Sequence, residues 1–206
     1  MARIYTRTGD DGYTGLADGT RMRKNSHRIE AIGTVDEVNA IVGIVRLYTT
    51  DNLIDSILNT VQNTLFDIGA NLATAKVSLT REAVEWLEDR IDEFNAELPE
   101  LSEFILPTGS PAACNMHMAR AVIRRAERHV AAISTNGPVL AYLNRLSDLC
   151  FVLARYLNYR HEVKDIPWVS VGTLASNPEA ETAVKQAVVT EEVLKSVIER
   201  RTKNEK

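Results

Sequence analysis

Only two cysteines, Cys114 and Cys150, occur in the 206 residues, and both fall inside apolar helical patterns. Two isolated thiols fit reduced packing residues better than a disulfide framework or a zinc site. Aromatics make up 6% of the chain, with 10 glycines and 6 prolines, too little turn chemistry for an all-β sandwich or barrel. Positive charge is not in excess: the formal net charge is -4, so nothing chain-wide draws nucleic acid or an anionic membrane. Any anion site must be local. No apolar run reaches transmembrane length, and the start Met1-Ala-Arg-Ile-Tyr-Thr has neither an apolar signal core nor transit-peptide character. A cytoplasmic location is expected. His27, His117, His129 and His161 lack metal-ligand spacing, and no Ser/His/Asp or Cys/His arrangement has usable spacing. The Glu-x-x-His signature of ferritin-like bundles is missing too, so no protein metal site is expected.

Hydrophobic residues at 45% and charged residues at 25% are ordinary globular usage, and the length fits one compact domain. From Tyr5 to Arg28 the chain is rich in Gly, Asp and Thr without a sustained period, which predicts a long ordered loop. Helical spacing then predicts five helices. The first, Ile29 to Leu47, spreads Ile32, Val35, Val38, Ile41, Val42 and Val45 widely enough to be buried on most sides. The second runs from Leu53 to Thr74 with one apolar stripe, and the third from an N-cap at Thr80 to about Glu97. A fourth opens on Ser110-Pro111 and continues to Ser134, and a fifth spans Val139 to Arg160. Short turns between long helices imply antiparallel neighbours in an all-α five-helix bundle covering residues 1–160. Residues 161–206 form an extension, with a last helix expected from Asn177-Pro178 to Arg201.

Three groups of residues are placed to carry chemistry. In Thr6-Arg7-Thr8-Gly9-Asp10-Asp11-Gly12-Tyr13-Thr14-Gly15, glycines let backbone N–H groups converge, hydroxyls add donors, and Arg21, Arg23 and Lys24 follow. Such a loop suits phosphates, or is simply a solvated turn, since Walker spacing is absent. On the fourth helix, Arg120, Arg124 and Glu127 share one face by the 100° rule, at the edge of the Met116, Ala119, Ile123, Ala126 and Val130 stripe. Arg125 and Arg128 point further round. The run is either an ordinary charged face or a pair of guanidinium forks matched to phosphate oxygens. On the fifth helix Asn144 and Asp148 stand one turn apart, open to a ligand or to an interhelical network. Asp36, on the mostly apolar first helix, is costly unless paired with a cation such as Arg120.

Taken in order, YTRTGDDGYTGL with Lys24 downstream, GTVDEVNA, FILPTGS, RAVIRRAERHV and YLNRLSD resemble the PduO-type ATP:cob(I)alamin adenosyltransferases from about Arg3 to Tyr159. The resemblance implies a homotrimer of five-helix bundles that binds ATP between subunits and transfers its 5′-deoxyadenosyl group to cob(I)alamin, releasing triphosphate. It places ATP binding on Thr6, Arg7, Thr8, Gly9, Thr14, Gly15, Lys24, Arg124, Arg125, Glu127, Arg128 and Asn144, and catalysis on Arg124, Arg120 and Asp36, with Arg120 paired to Asp36. Phe104 matches the phenylalanine that closes the lower face of the corrin ring. Mg²⁺ accompanies ATP, and a corrinoid reductase and an adenosylcobalamin-dependent client enzyme are the implied partners. The chain departs from the family at Thr108-Gly109, where Gly-Gly is usual. The alternatives are a non-catalytic ATP-binding trimer acting as nucleotide sensor or adenosylcobalamin carrier, and a structural bundle binding no nucleotide.

Overall fold

The computed structural model describes residues 4–74, 79–133 and 137–170. Five helices follow a small hairpin: β1 (Tyr13–Gly15), β2 (Arg21–Arg23), α1 (His27–Tyr48), α2 (Asn52–Thr74), α3 (Arg81–Asn95), α4 (Pro111–Ala131) and α5 (Pro138–Arg160). Packing runs α2 on α1, α1 on α4, α4 on α5 and α5 on α3, so α1, α4 and α5 form the centre and α2 and α3 flank it. The all-α architecture is as expected. Among the described residues no helix is long and apolar enough to cross a membrane. The last helix expected, from Asn177-Pro178 to Arg201, lies outside them.

The stripes read from the sequence form the core. On α2, Ile54, Ile57, Leu58, Val61, Leu65, Ile68 and Leu72 are all buried. On α4 the contact face is built from small residues, Ala112, Ala113, Ala119 and Ala126, with Met116, Ile123 and Val130 between them, which lets neighbouring helices approach closely. Ser110 caps this helix by accepting a hydrogen bond from the Ala113 N–H at 3.2 Å, and Pro111 takes the first position, where no N–H is needed.

Two expectations need correction. The segment before α1 is not all loop, because Tyr13, Thr14 and Gly15 pair antiparallel with Arg23, Met22 and Arg21. Three-residue strands are too short to show a period, although Asp18-Gly19 marks the turn, with Gly19 at φ +86. Nor is α1 buried on most sides. Turning Val35, Val38 and Val42 inward leaves Asp36, Glu37, Ala40, Ile44 and Leu47 on an exposed face.

Between α3 and α4 the chain makes a tight passage at Gly109, whose φ of +127 disfavours any side chain. A Cβ there would fall 2.1 Å from Oδ1 of Asn158. That buried amide accepts from the Ser110 N–H at 2.9 Å and donates to the Thr108 carbonyl at 3.0 Å, holding the start of α4. Thr108 has no such positive φ, so a threonine at that position meets no backbone conflict. Gly109→Ala is therefore expected to cost more than about 2 kcal/mol through overpacking and backbone strain. Urea titration checks this, and an unchanged midpoint would contradict it.

Candidate functional site

The loop before β1 is drawn together by the residues that follow it. Arg21 donates from Nη2 to the Thr8 carbonyl at 2.9 Å and to both carboxylate oxygens of Asp11 at 3.1 Å. Lys24 donates its backbone N–H to the Gly12 carbonyl at 2.9 Å. Its side chain lies over Gly9, where an added Cβ would sit 3.3 Å from Nζ and 3.1 Å from the Tyr13 carbonyl. Glycine at position 9 thus gives the ammonium close access to the backbone. Thr6 and Thr8 share a hydroxyl hydrogen bond of 2.8 Å. Arg7 stands at φ +59, an uncommon conformation for a side-chain-bearing residue, with its guanidinium 5.5 Å from the Tyr5 ring centroid. Thr6, Arg7, Thr8, Gly9, Thr14, Gly15 and Lys24 therefore belong to one folded unit. Arg21, which the sequence groups with Arg23 and Lys24 as a cation following the loop, braces the loop itself, and the Asp18-Gly19 turn is the signal that places it opposite Gly15.

On α4 the second group does not keep the expected order, since Arg125, expected further round than Arg124, is the less exposed of the two. Arg124 is exposed, and Arg128 folds back to donate from Nη1 to the Arg124 carbonyl at 2.9 Å. Arg120 is half-buried, and its Nε is buried without a hydrogen-bond partner within the chain. Glu127 accepts from Nδ2 of Asn144 at 3.0 Å, which joins α4 to α5. Asn144 in turn accepts from Nη1 of Arg145 at 2.6 Å, and Arg145 donates from Nε to Glu88 of α3 at 2.8 Å. That network fixes which end of the Asn144 amide faces Glu127.

Asp36 departs from expectation. It is exposed on α1, and no ion pair joins it to Arg120 within the chain. The physical reason is helix rotation: the valines turned into the core carry Asp36 and Glu37 outward together, and Glu37 takes Arg125 as its partner. Arg125 accordingly points toward α1 as well as toward solvent. Among the described residues no hydrogen bond or ion pair joins the hairpin to α4, so no such bond ties the two cationic groups together within one chain. Phe104 lies on the long α3–α4 connection and is 83% exposed. The cysteines are free thiols, and burial pushes the Cys150 thiol up to about 12.

A profile described as cobalamin adenosyltransferase matches residues 4–157. The chain belongs to the cobalamin adenosyltransferase family. A cobalamin adenosyltransferase of Cupriavidus metallidurans is 46% identical over 176 residues, spanning 82% of this chain and 95% of that one. A corrinoid adenosyltransferase of Bacillus subtilis is 43% identical over 179 residues, spanning 81% and 92%. A solved structure of a variant PduO-type ATP:corrinoid adenosyltransferase from Lactobacillus reuteri, complexed with cobalamin and ATP, matches with a TM-score of 0.77. It is 34% identical, covering 82% of this chain and all, 100%, of that chain. The family match takes in the hairpin, Phe104 and the α4 arginines, and ends inside α5.

One further group on α4 titrates unusually. His117 is 4% exposed, neither ring nitrogen has a hydrogen-bond partner, and its ring meets Phe151 edge-on. Burial, reinforced by the nearby Arg120 charge and opposed by Asp165, lowers its pKa to about 4. The unfolded chain takes up this proton below about pH 6.5, whereas the folded chain resists until about pH 4. Stability assignable to His117 is therefore present above pH 6.5 and lost as pH falls toward 4. Relative to His117→Phe, the native protein should lose stability across that interval in urea titrations, and parallel pH curves for the two would contradict the assignment.

Proposed function

We propose that this chain is a corrinoid adenosyltransferase, moving the 5′-deoxyadenosyl group of ATP to cob(I)alamin and releasing triphosphate. The family match across residues 4–157 carries this reading. It is supported by two cationic elements suited to a polyphosphate, the Thr6 to Lys24 unit and the α4 edge. Cobalt(I) attacks C5′ of the ribose with its electron pair. The cobalt–carbon bond forms as the C5′–O bond breaks, and that bond's electrons leave on the triphosphate. Cobalt is formally oxidised from I to III, the two electrons passing to the transferred carbon. No protein base is required, which fits a site of cations rather than a His/carboxylate dyad.

Within this reading the protein positions C5′ over cobalt and stabilises charge that builds on the departing oxygens. Thr6, Arg7, Thr8, Gly9, Thr14, Gly15 and Lys24 hold the phosphates from one side. Arg120, Arg124, Arg125, Glu127, Arg128 and Asn144 hold the nucleotide from the other. Among the described residues no three acidic, imidazole or thiol side chains converge as a metal cage. A Mg²⁺ arriving with ATP would need only phosphate oxygens, water and at most one or two carboxylates. Phe104 blocks the lower axial position of the corrin, favouring four-coordinate cobalt(II), which is more readily reduced.

We place the nucleotide between adjacent copies of a homotrimer, the hairpin coming from one copy and α4 from the next. The lack of a hydrogen bond or ion pair between these elements among the described residues of one chain supports this, as do the exposed Ile44 and Leu47 of α1 and Phe66 of α2. In that assembly Asp36 reaches Arg120 of a neighbouring copy. The free thiols of Cys114 and Cys150 suit the reducing cytoplasm. A corrinoid reductase upstream and an adenosylcobalamin-dependent enzyme downstream are the partners this chemistry calls for.

Removing one guanidinium aimed at the leaving group should cost about 10²–10³ in turnover. Arg124→Ala is expected to show that loss in triphosphate release and in the corrinoid absorbance change, with helix content retained. Full activity of Arg124→Ala would remove the α4 edge from the mechanism. ATP binding by the unaltered protein without triphosphate release would replace the enzyme with a carrier or sensor.

A further inference from the structure

Phe104 is too exposed for side-chain packing to fix it, so its position depends on its main chain. The Phe104 carbonyl accepts from the Trp168 N–H at 2.6 Å, the Leu106 N–H donates to the Ile166 carbonyl at 2.8 Å, and Ile105 faces Pro167 across an antiparallel bridge. The segment supplying these partners leaves α5, reverses where the Val163 N–H donates to the Asn158 carbonyl at 2.9 Å, and runs back along the α3–α4 connection. It lies beyond residue 157, where the family match ends. Two strands this short do not hold each other in water without an anchor.

Arg155 supplies that anchor. Only 5% exposed on α5, it donates from Nε to Oδ2 of Asp165 at 2.7 Å and from Nη2 to the Pro99 carbonyl at 2.8 Å. One buried guanidinium therefore grips both sides of the bridge: Pro99, before Phe104, and Asp165, at the root of the returning segment. We infer that Arg155 and Asp165 are positioning residues for the corrinoid, acting through the Ile166 to Trp168 backbone to hold Phe104 in place. The inference rests on the corrinoid role proposed for Phe104. It assigns to the start of the C-terminal segment a part in cobalt reduction, not in ATP binding.

The test compares Asp165→Asn, Arg155→Lys and Phe104→Ala, each assayed with ATP from chemically prereduced cobalamin and from cobalt(II) with a reductant. Asp165→Asn keeps the size of the side chain while weakening its charge-assisted bond, so it is the variant expected to fold. A positioning role predicts that Asp165→Asn reproduces the Phe104→Ala pattern. The cobalt(II) rate should fall about tenfold or more relative to the prereduced rate, KM for ATP should stay within about twofold, and the spectrum of four-coordinate cobalt(II) should weaken. Arg155→Lys should show the same direction, since an ammonium cannot span both acceptors. Phe104→Ala with the selective loss and Asp165→Asn without it would overturn the anchor while leaving Phe104 its role. Equal losses from both starting states, with a raised KM for ATP, would reduce the pair to structural support. No selective loss in Phe104→Ala would remove the corrinoid role of Phe104 and the inference with it.

Discussion

The seating of α4 between α1 and α5 is the constraint on which the rest of the molecule depends. Its buried face, Ala112, Ala113, Met116, Ala119, Ile123, Ala126 and Val130, admits one rotation of the helix. That rotation decides where every charged residue on it points. Arg120 is drawn half into the core edge, Arg124 and Arg128 stand clear, and Glu127 meets Asn144. Truncating Ile123 to alanine would cost roughly 2–5 kcal/mol and would also release this rotation. The charge pattern is thus a consequence of packing and not a separate feature laid over it.

Around this core, structural work is divided by element. The hairpin is stabilised locally, by Arg21 on Thr8 and Asp11 and by the Lys24 N–H on Gly12. The region around Phe104 is built from long-range contacts: Asn158 holding the turn at Gly109, and Arg155 holding Asp165 and Pro99. In the proposed mechanism these halves have separate duties. The cationic half stabilises a leaving group, and the other governs the coordination number of cobalt before attack. A catalyst needing no proton transfer has no use for a histidine at its centre, and the buried histidine on α4 has a pKa of about 4, leaving it neutral near pH 7.

What could be read from the chain divides along the same lines. Periodic, local signals carried through to the structure: the α2 stripe and the Ser110-Pro111 cap. The hairpin did not, because three-residue strands in a Gly- and Asp-rich run carry no period. Ile32, Val35, Val38, Ile41, Val42 and Val45 spread widely enough around α1 to suggest burial on most sides, yet Asp36, Ile44 and Leu47 are exposed in one chain. Apolarity toward a partner copy cannot be told by composition from apolarity toward the core. The bridge between Phe104 and Trp168 joins residues far apart in sequence, and neither run has a pattern announcing the other.

The central claim is that two copies of the chain complete one nucleotide site, and mixing inactive subunits tests it most directly. Lys24→Ala damages the hairpin side and Arg124→Ala the α4 side, and each variant alone should be inactive. Co-assembled after unfolding and refolding together, they should restore activity in about a quarter of the sites, where an intact hairpin meets an intact α4. Mixed oligomers as inactive as their parents would contradict a shared site.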